Sequence, residues 1–161
     1  GVYARFPIKY FYRQAEKVEI ATDLRIETMD HALHLKDINQ IDKQILEHTR
    51  EAIHRWLITS RAGVVYKRDG NIVGYGYVGR NGGPFALLDE NDFPAVLAHA
   101  ESTVAESGEE FGVETPMINR AAIGYFLERK YKIDSFTALF MSNVPFGRLE
   151  NYLCYSPVFF M

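Results

Sequence analysis

The sequence predicts an α/β (α+β) domain, in which helices cover both faces of a mixed, mostly antiparallel twisted sheet. Three observations predict it. An Asp-Gly turn at residues 69–70 joins two strand-like segments at 63–67 and 72–78, which is a strong hairpin signal. Two amphipathic helices, at 93–107 and 118–131, flank a short apolar strand, as in a crossover connection. The length of 161 residues and the 47% apolar content are typical of one globular domain.

The N-terminal third contains a strand, a linker and a long helix. Aromatic residues alternate over 4–12, which predicts a strand, and residues 14–27 are predicted to be a linker followed by a possible strand. A short helix is expected at 29–35. A longer helix is predicted over 38–59 because its apolar residues recur on one stripe, with Asp37 or Asn39 as caps. The charged residues of that helix, including Arg50, are expected to face solvent.

The remaining elements are short strands between turns. Gly74 and Gly76 lie inside the second hairpin strand, where glycine indicates a close approach of another group. A third strand is predicted at 85–88, a short one at 111–113 and another at 136–141. Two C-terminal strands, at 152–155 and 158–160, follow a loop.

Charge and composition exclude several functional classes. The net charge is −3, and residues 81–119 contain no Lys or Arg. That stretch carries eight acids: Asp89, Glu90, Asp92, Glu101, Glu106, Glu109, Glu110 and Glu114. We expect no nucleic-acid ligand, because these carboxylates would repel phosphate. We also expect no membrane partner and a cytoplasmic location, since no apolar run reaches about 18–20 residues and the single cysteine cannot form an internal disulfide.

Four local motifs follow one another along the chain: the hairpin at 66–75, residues 83–88, Asn119-x-x-Ala122 and residues 133–136. In this order they resemble the GNAT family of N-acetyltransferases over residues 36–160. The hairpin at 66–75 resembles the second and third strands of the family, and residues 83–88 resemble the fourth strand. Asn119-x-x-Ala122 is similar to the opening of the last helix, and residues 133–136 to the segment that follows it. The resemblance implies transfer of an acetyl group from acetyl-CoA to a small-molecule or peptide amine.

The first residues resemble the end of another GNAT unit. Residues 1–6 are similar to the segment that follows the last helix in the family. We therefore expect residues 1–14 to be the last strand of a preceding GNAT unit, 15–35 a linker and 36–161 a GNAT-like domain. The chain would then be the C-terminal half of a tandem protein, with the preceding GNAT domain as its partner. The alternative is an independent N-terminal strand.

The resemblance also implies where acetyl-CoA would bind. Its pantetheine arm would pair with the backbone of Ala86, Leu87 and Leu88, and Asn119 would face it. The phosphate-binding loop of the family departs from its pattern here, because residues 89–94 contain three acids and neither glycine nor arginine. We expect these carboxylates to cap the following helix and to oppose phosphate binding.

The catalytic residues are not identified by the sequence. Phe126 stands where many family members have a tyrosine acid, and Tyr125 is a weak substitute because it points about 100° away around the helix. Glu114, Tyr75 and Tyr77 are the open candidates for the base. We predict no metal site, since Asp30, His31 and His34 are not followed by another ligand at a usual spacing.

Two functional interpretations remain at this point. The chain is either the degenerate half of an acetyltransferase or a non-catalytic GNAT-fold module for binding or dimerisation. The aromatic C-terminus fits either internal packing or strand exchange in a homodimer, and both stay open; its residues are Tyr152, Tyr155, Phe159, Phe160 and Met161.

Overall fold

The computed structural model describes residues 1–155, so the predicted strand at 158–160 lies outside the described residues. The strands are β1 (Tyr3–Gln14), β2 (Arg25–Thr28), β3 (Ala62–Arg68), β4 (Asn71–Val78), β5 (Asn81–Gly82), β6 (Phe85–Leu87), β7 (Glu110–Pro116), β8 (Lys132–Ser142) and β9 (Tyr152–Leu153). The α-helices are α1 (His31–Leu46), α2 (Glu51–Leu57), α3 (Phe93–Ala105) and α4 (Arg120–Glu128), and short 3₁₀ turns cover Glu90–Asp92 and Leu149–Asn151.

The strands form two sheets that meet at one bridge. One sheet has the order β2-β3-β4-β6-β9 and the other β5-β7-β1-β8. An antiparallel bridge between Glu114 and Cys154 joins them. The pairing of β5 with β7 is parallel, whereas the other strand pairs are antiparallel. The predicted mixed, mostly antiparallel sheet is therefore confirmed.

Helices cover both faces of the sheet, as the sequence predicts. Helices α3 and α4 pack on one face through a core that includes Phe85, Phe111 and Phe126. Helices α1 and α2 pack on the opposite face with Tyr75 and Tyr77. Alternate residues of β4 and β6 supply the two cores, because successive side chains of a strand point to opposite faces.

The central hairpin has the predicted turn and the predicted close approach. Asp69 and Gly70 both have positive φ angles, 51° and 79°, as a two-residue type I′ turn requires. Gly76 lies opposite Phe85 of β6, and a methyl group added at Gly76 would overlap the Phe85 ring. Glycine at this position therefore leaves room for a buried aromatic side chain of the next strand.

We expect Gly76→Ala to destabilise the fold by about 1–3 kcal/mol, because the fully buried Phe85 ring would have to move in a packed core. Gly79→Ala is the matched control, since a methyl group there meets no other atom within 4 Å. Urea denaturation of both variants measures the effect. Equal midpoints for the two would show that β6 does not press on Gly76.

The prediction of one helix over residues 38–59 is wrong. The helix begins earlier, at His31, where Asp30 caps it by accepting a 2.8 Å hydrogen bond from the Ala32 amide. It ends at Leu46, since the next residue, Glu47, has a left-handed φ of 65°, and α2 begins at Glu51. The break turns Arg50 inwards, and its amide donates to the Asn39 side chain at 3.2 Å. The residues expected to cap the helix, Asp37 and Asn39, lie within α1 instead.

The first strand is an integral part of the sheet. β1 lies between β7 and β8 and pairs with both along most of its length. Within the expected linker, residues 25–28 form β2 on the edge of β3. The segment 1–14 thus completes the sheet of this domain, and its origin in a preceding GNAT unit stays a prediction.

Candidate functional site

The strand predicted to pair with pantetheine, β6, is separated from β7 by another part of the chain. Residues 151–155, which we call the closing segment, run between the two strands. Phe85 and Ala86 of β6 pair with Leu153 and Tyr152 of β9. On the other side, the Cys154 amide donates a 2.9 Å hydrogen bond to the carbonyl of Glu114 on β7. The closing segment therefore fills the gap that separates these strands.

Two asparagines fix the closing segment at this edge. The Nδ2 of Asn119 donates to the Tyr152 carbonyl at 3.2 Å, while its Oδ1 caps α4 by accepting from the Ala122 amide at 3.1 Å. The Nδ2 of Asn151 donates to the carbonyl of Leu87 at 2.8 Å and to that of Leu88 at 3.2 Å. Each residue predicted to face the cofactor, Ala86, Leu87, Leu88 and Asn119, thus has a partner in the closing segment.

The closing segment is part of the core. The side chains of Tyr152, Leu153 and Cys154 are fully buried, and Tyr155 is nearly so. Burial raises the pKa of the Cys154 thiol well above its ordinary value, which disfavours the reactive thiolate. The packing makes the segment resemble a sheet strand more than a mobile tail.

The loop before α3 does not present a cradle for phosphate. Asp89 accepts a 2.9 Å hydrogen bond from the Asn91 amide and so caps the 3₁₀ turn. Asp92 forms a two-bond ion pair with Arg68 at 2.8 and 3.0 Å. The expectation that these carboxylates cap α3 is wrong, because Asp89 caps the 3₁₀ turn instead and the Asp92 side chain makes no capping bond.

The residues present therefore do not fit acetyl-CoA in this structure. The backbone edge of β6 is already paired with β9, and the amide nitrogen of Asn119 is held by Tyr152. Asp89 places a carboxylate where the resemblance implies that the cofactor would bring phosphates, and the Asp92 carboxylate is already bound by Arg68. Acetyl-CoA binding to this chain stays a prediction.

Tyr125, the candidate acid, belongs to a structural cluster around Glu101 of α3. Its hydroxyl donates to the Glu101 carboxylate at 2.6 Å. The same carboxylate accepts two bonds from Arg129, at 2.8 and 2.9 Å, and one from Tyr131 at 2.9 Å. Burial favours a raised pKa for Glu101, but these hydrogen bonds outweigh it and lower the pKa. The geometry gives Tyr125 a role in joining α3 to α4.

We expect Tyr125→Phe to lower the free energy of unfolding by about 1–2 kcal/mol, because it removes one hydrogen bond to a buried carboxylate. Tyr3→Phe, at a side chain that is 60% exposed, is the control and should change stability by less than about 0.5 kcal/mol. Chemical denaturation compares them. A Tyr125→Phe variant as stable as the control would remove the structural role.

A second buried polar cluster, which the sequence did not reveal, lies between α1, α2 and β4. We call it the Asp42 network; its members are Asp42, Arg50, His54, Tyr75, Tyr77 and Tyr152. Arg50 binds the Asp42 carboxylate with two nitrogens, at 2.8 and 3.2 Å. Nε2 of His54 lies 2.8 Å from the same carboxylate. Burial favours a raised pKa for Asp42, but the bonds from His54 and Arg50 outweigh it and lower the pKa.

The tyrosines of the Asp42 network tie the closing segment to the helices. Arg50 donates to the hydroxyls of Tyr152 at 2.8 Å and Tyr75 at 2.7 Å, and Tyr75 donates to Asp42. The Tyr77 hydroxyl lies 2.8 Å from Nδ1 of His54. Burial raises the pKa of Tyr75 and of Tyr77 above the ordinary value. The two tyrosines considered as bases thus have their hydroxyls bound within this network.

The other candidate groups stay apart. Glu114 is partly buried, which raises the pKa of its carboxyl, and its backbone carbonyl is used by Cys154. Nδ1 of His34 accepts a 2.9 Å bond from the Asp30 amide. Among residues 1–155 the structure brings no three His, Cys, Asp or Glu side chains together as a metal site. The helices of that same part of the chain are too short or too polar to cross a membrane.

Comparisons with known proteins support the fold. No family model and no curated protein matches the sequence. A Pyrococcus horikoshii protein, named provisionally as an acetyltransferase, matches over 94% of this chain with a TM-score of 0.66 and 12% identity. A Drosophila protein matches over 90% with a TM-score of 0.67 and 10% identity. A Staphylococcus epidermidis protein of unknown function matches over 90% with a TM-score of 0.58 and 11% identity.

These matches cover only part of each neighbour. The chain spans 50% of the Pyrococcus protein, 52% of the Drosophila protein and 64% of the Staphylococcus protein. At this low identity the likeness shows the fold alone. The mixed α/β fold of the chain is therefore shared with these three structures, one of which is named provisionally as an acetyltransferase, in agreement with the fold class that the sequence predicts.

Proposed function

We propose that this chain is the non-catalytic half of a GNAT-type acetyltransferase, which transfers an acetyl group from acetyl-CoA to a small-molecule or peptide amine. The observation that carries the proposal is the closing segment. β9 pairs with β6, and the Cys154 amide binds β7, so the chain itself occupies the edge where the resemblance locates pantetheine. The fold is retained while the cofactor site is filled.

The polar groups around the closing segment support the same conclusion. Asn119 and Asn151 both donate to backbone carbonyls within this region, so binding of a cofactor would break their bonds. Tyr152 also binds the buried guanidinium of Arg50. Displacing the segment would leave these buried groups without partners, at a cost of about 1–3 kcal/mol for each.

The size of the structural neighbours supports a second unit in the parent protein. The chain matches about half of the Pyrococcus and Drosophila proteins while almost all of its own length is matched. In the proposed arrangement the preceding GNAT domain binds acetyl-CoA, and this chain forms a wall or an interface beside it. In this arrangement β1 would be the connection to the preceding unit while lying between β7 and β8 in the sheet of this domain.

Calorimetric titration with acetyl-CoA tests the proposal. We expect no saturable binding of this chain up to millimolar cofactor, and micromolar binding by the longer parent protein. Dephospho-CoA serves as the control for non-specific phosphate contacts. Micromolar binding by the chain alone, reduced at least tenfold by Asn119→Ala, would overturn the proposal and restore the site to β6.

A further inference from the structure

A separate pocket lies beside the start of the closing segment. It has a volume of about 260 Å³ and lies between the start of β1, the end of β8 and the loop that follows β8. Small-molecule sites in proteins are usually concave, apolar and furnished with a few polar groups that fix orientation. The volume suits a molecule smaller than a typical cofactor.

The walls of the pocket are aromatic. Phe6 and Phe140 stack with ring centroids 5.0 Å apart, and Phe146 meets Phe140 edge-on at 5.5 Å. Ile118 and the buried Leu149 also contact the pocket. These side chains offer an apolar surface on which an aliphatic or aromatic group could be buried.

Two opposite charges line the same pocket without binding each other. Arg5 is held by Ser142, since its Nε donates to the hydroxyl at 2.9 Å and its Nη2 to the carbonyl at 3.3 Å. Glu150 lies in the loop side of the pocket. Within residues 1–155 neither side chain has an ion-pair partner within 4.0 Å. Neither charge is therefore neutralised by an ion pair among these residues, and the Arg5 guanidinium also lies 5.8 Å from the centroid of the Tyr3 ring.

We propose that this pocket binds a free α-amino acid with an apolar side chain. The Arg5 guanidinium would bind the carboxylate, since its fork of donors matches that group. Glu150 would bind the ammonium group, and Phe6, Phe140 and Phe146 would enclose the side chain. A carboxylic acid without an amine would leave the Glu150 carboxylate without a partner. An amine without a carboxylate would leave the Arg5 guanidinium without one. A zwitterion satisfies both, which is the reason for this ligand class.

This inference goes beyond the proposed function and does not depend on it. The pocket uses neither the β6 edge nor Asn119. Acetyl-CoA binding by this chain would contradict the proposed function without bearing on the amino-acid site. Absence of amino-acid binding would likewise leave the proposed function unaffected.

Calorimetry with L-phenylalanine and L-leucine tests the ligand class. The controls are 3-phenylpropionate, which lacks the ammonium group, and phenethylamine, which lacks the carboxylate. We expect L-phenylalanine to bind at least about tenfold more tightly than either control, because each missing charge removes a charge-assisted hydrogen bond. No saturable binding of either amino acid at millimolar concentration, or equal affinity for L-phenylalanine and both controls, would overturn the proposal.

Two charge variants locate the site. In Glu150→Gln, the affinity for L-phenylalanine should fall about tenfold and become similar to that for 3-phenylpropionate. In Arg5→Gln, the affinity for L-phenylalanine should become similar to that for phenethylamine. Glu128→Gln and Arg25→Gln, at exposed positions outside the pocket, are matched controls and should bind like the unaltered chain. Circular dichroism verifies that each variant folds. Folded pocket variants that bind like the controls would contradict the assignment, and the comparison of analogues tests the unaltered chain even if a variant does not fold.

Discussion

Arg50→Met is expected to destabilise the fold by about 3–5 kcal/mol at neutral pH. The substitution leaves the fully buried Asp42 carboxylate without its main cationic partner, and removing one partner of a buried ion pair carries a penalty of this size. It also removes the donors that Arg50 supplies to Tyr75 and Tyr152. The free energy of unfolding from urea titration measures the effect.

Arg55→Met is the matched control, five residues further along the chain. Arg55 is exposed and forms an ion pair with Glu51 at 2.7 Å on the helix surface. Such a pair contributes about 0.3–0.5 kcal/mol. If Arg50→Met costs no more than Arg55→Met, the Asp42 network is not buried as described. The double variant Asp42→Leu with Arg50→Met should be more stable than Arg50→Met alone, because it removes the unpaired charge as well.

Tyr152→Ala is expected to cost about 3–5 kcal/mol, the range for removing a large aromatic side chain from a core. The ring is fully buried, and Arg50 lies over it with its guanidinium carbon 5.2 Å from the centroid. Tyr152→Phe keeps the ring and removes the hydroxyl that accepts from Arg50, so we expect a smaller loss of about 1–2 kcal/mol.

Tyr3→Ala is the control for that pair, because Tyr3 is largely exposed. It should change the free energy of unfolding by less than about 0.5 kcal/mol. Thermal or urea denaturation ranks the three variants. A Tyr152→Ala variant as stable as Tyr3→Ala would mean that the closing segment does not occupy the gap between β6 and β7.

The elements that the sequence predicts correctly depend on local signals. The Asp69-Gly70 turn requires positive φ angles that few other residues adopt easily. These two residues alone therefore predict the hairpin. Helix α3 begins beside a proline and carries a regular apolar stripe. Gly76 also indicated a close neighbour, although only the structure identifies that neighbour as Phe85.

The errors depend on contacts between distant parts of the chain. Arg50 lies in a helical pattern whose charged residues normally face solvent. No local sequence signal indicates that its side chain binds Asp42, Tyr75 and Tyr152. The helix breaks between Glu47 and Glu51 so that this side chain can turn inwards. A sequence pattern with a period of 3.6 residues does not distinguish a buried, paired arginine from an exposed one.

Local sequence patterns do not predict the position of the closing segment either. A strand at 152–155 was predicted, but its partners in β6 and β7 are distant in sequence. Which edge a short strand joins depends on the edges left vacant by the rest of the fold. The same applies to β1, which was expected as a strand and lies between β7 and β8. The fold class is therefore predictable from local patterns, whereas the pairing of β6 with the closing segment is not.

This distinction matters for function because a shared fold does not imply a shared activity. The chain shares its fold with a Pyrococcus horikoshii protein named provisionally as an acetyltransferase, yet the backbone of β6 and the side chain of Asn119 are paired within the chain. Asn119 illustrates the point: it keeps its role in capping α4, while its amide nitrogen binds the Tyr152 carbonyl.

Hydrogen exchange at the Cys154 amide tests the central claim most directly. This amide donates to Glu114 across the gap, so its exchange reports whether the closing segment stays in place. We predict an opening free energy close to that of global unfolding. Acetyl-CoA at about 1 mM, a concentration that would half-saturate a site with a millimolar Kd, should leave it unchanged. Rapid exchange at Cys154, or faster exchange there together with new protection of Ala86–Leu88 when acetyl-CoA is added, would contradict the account.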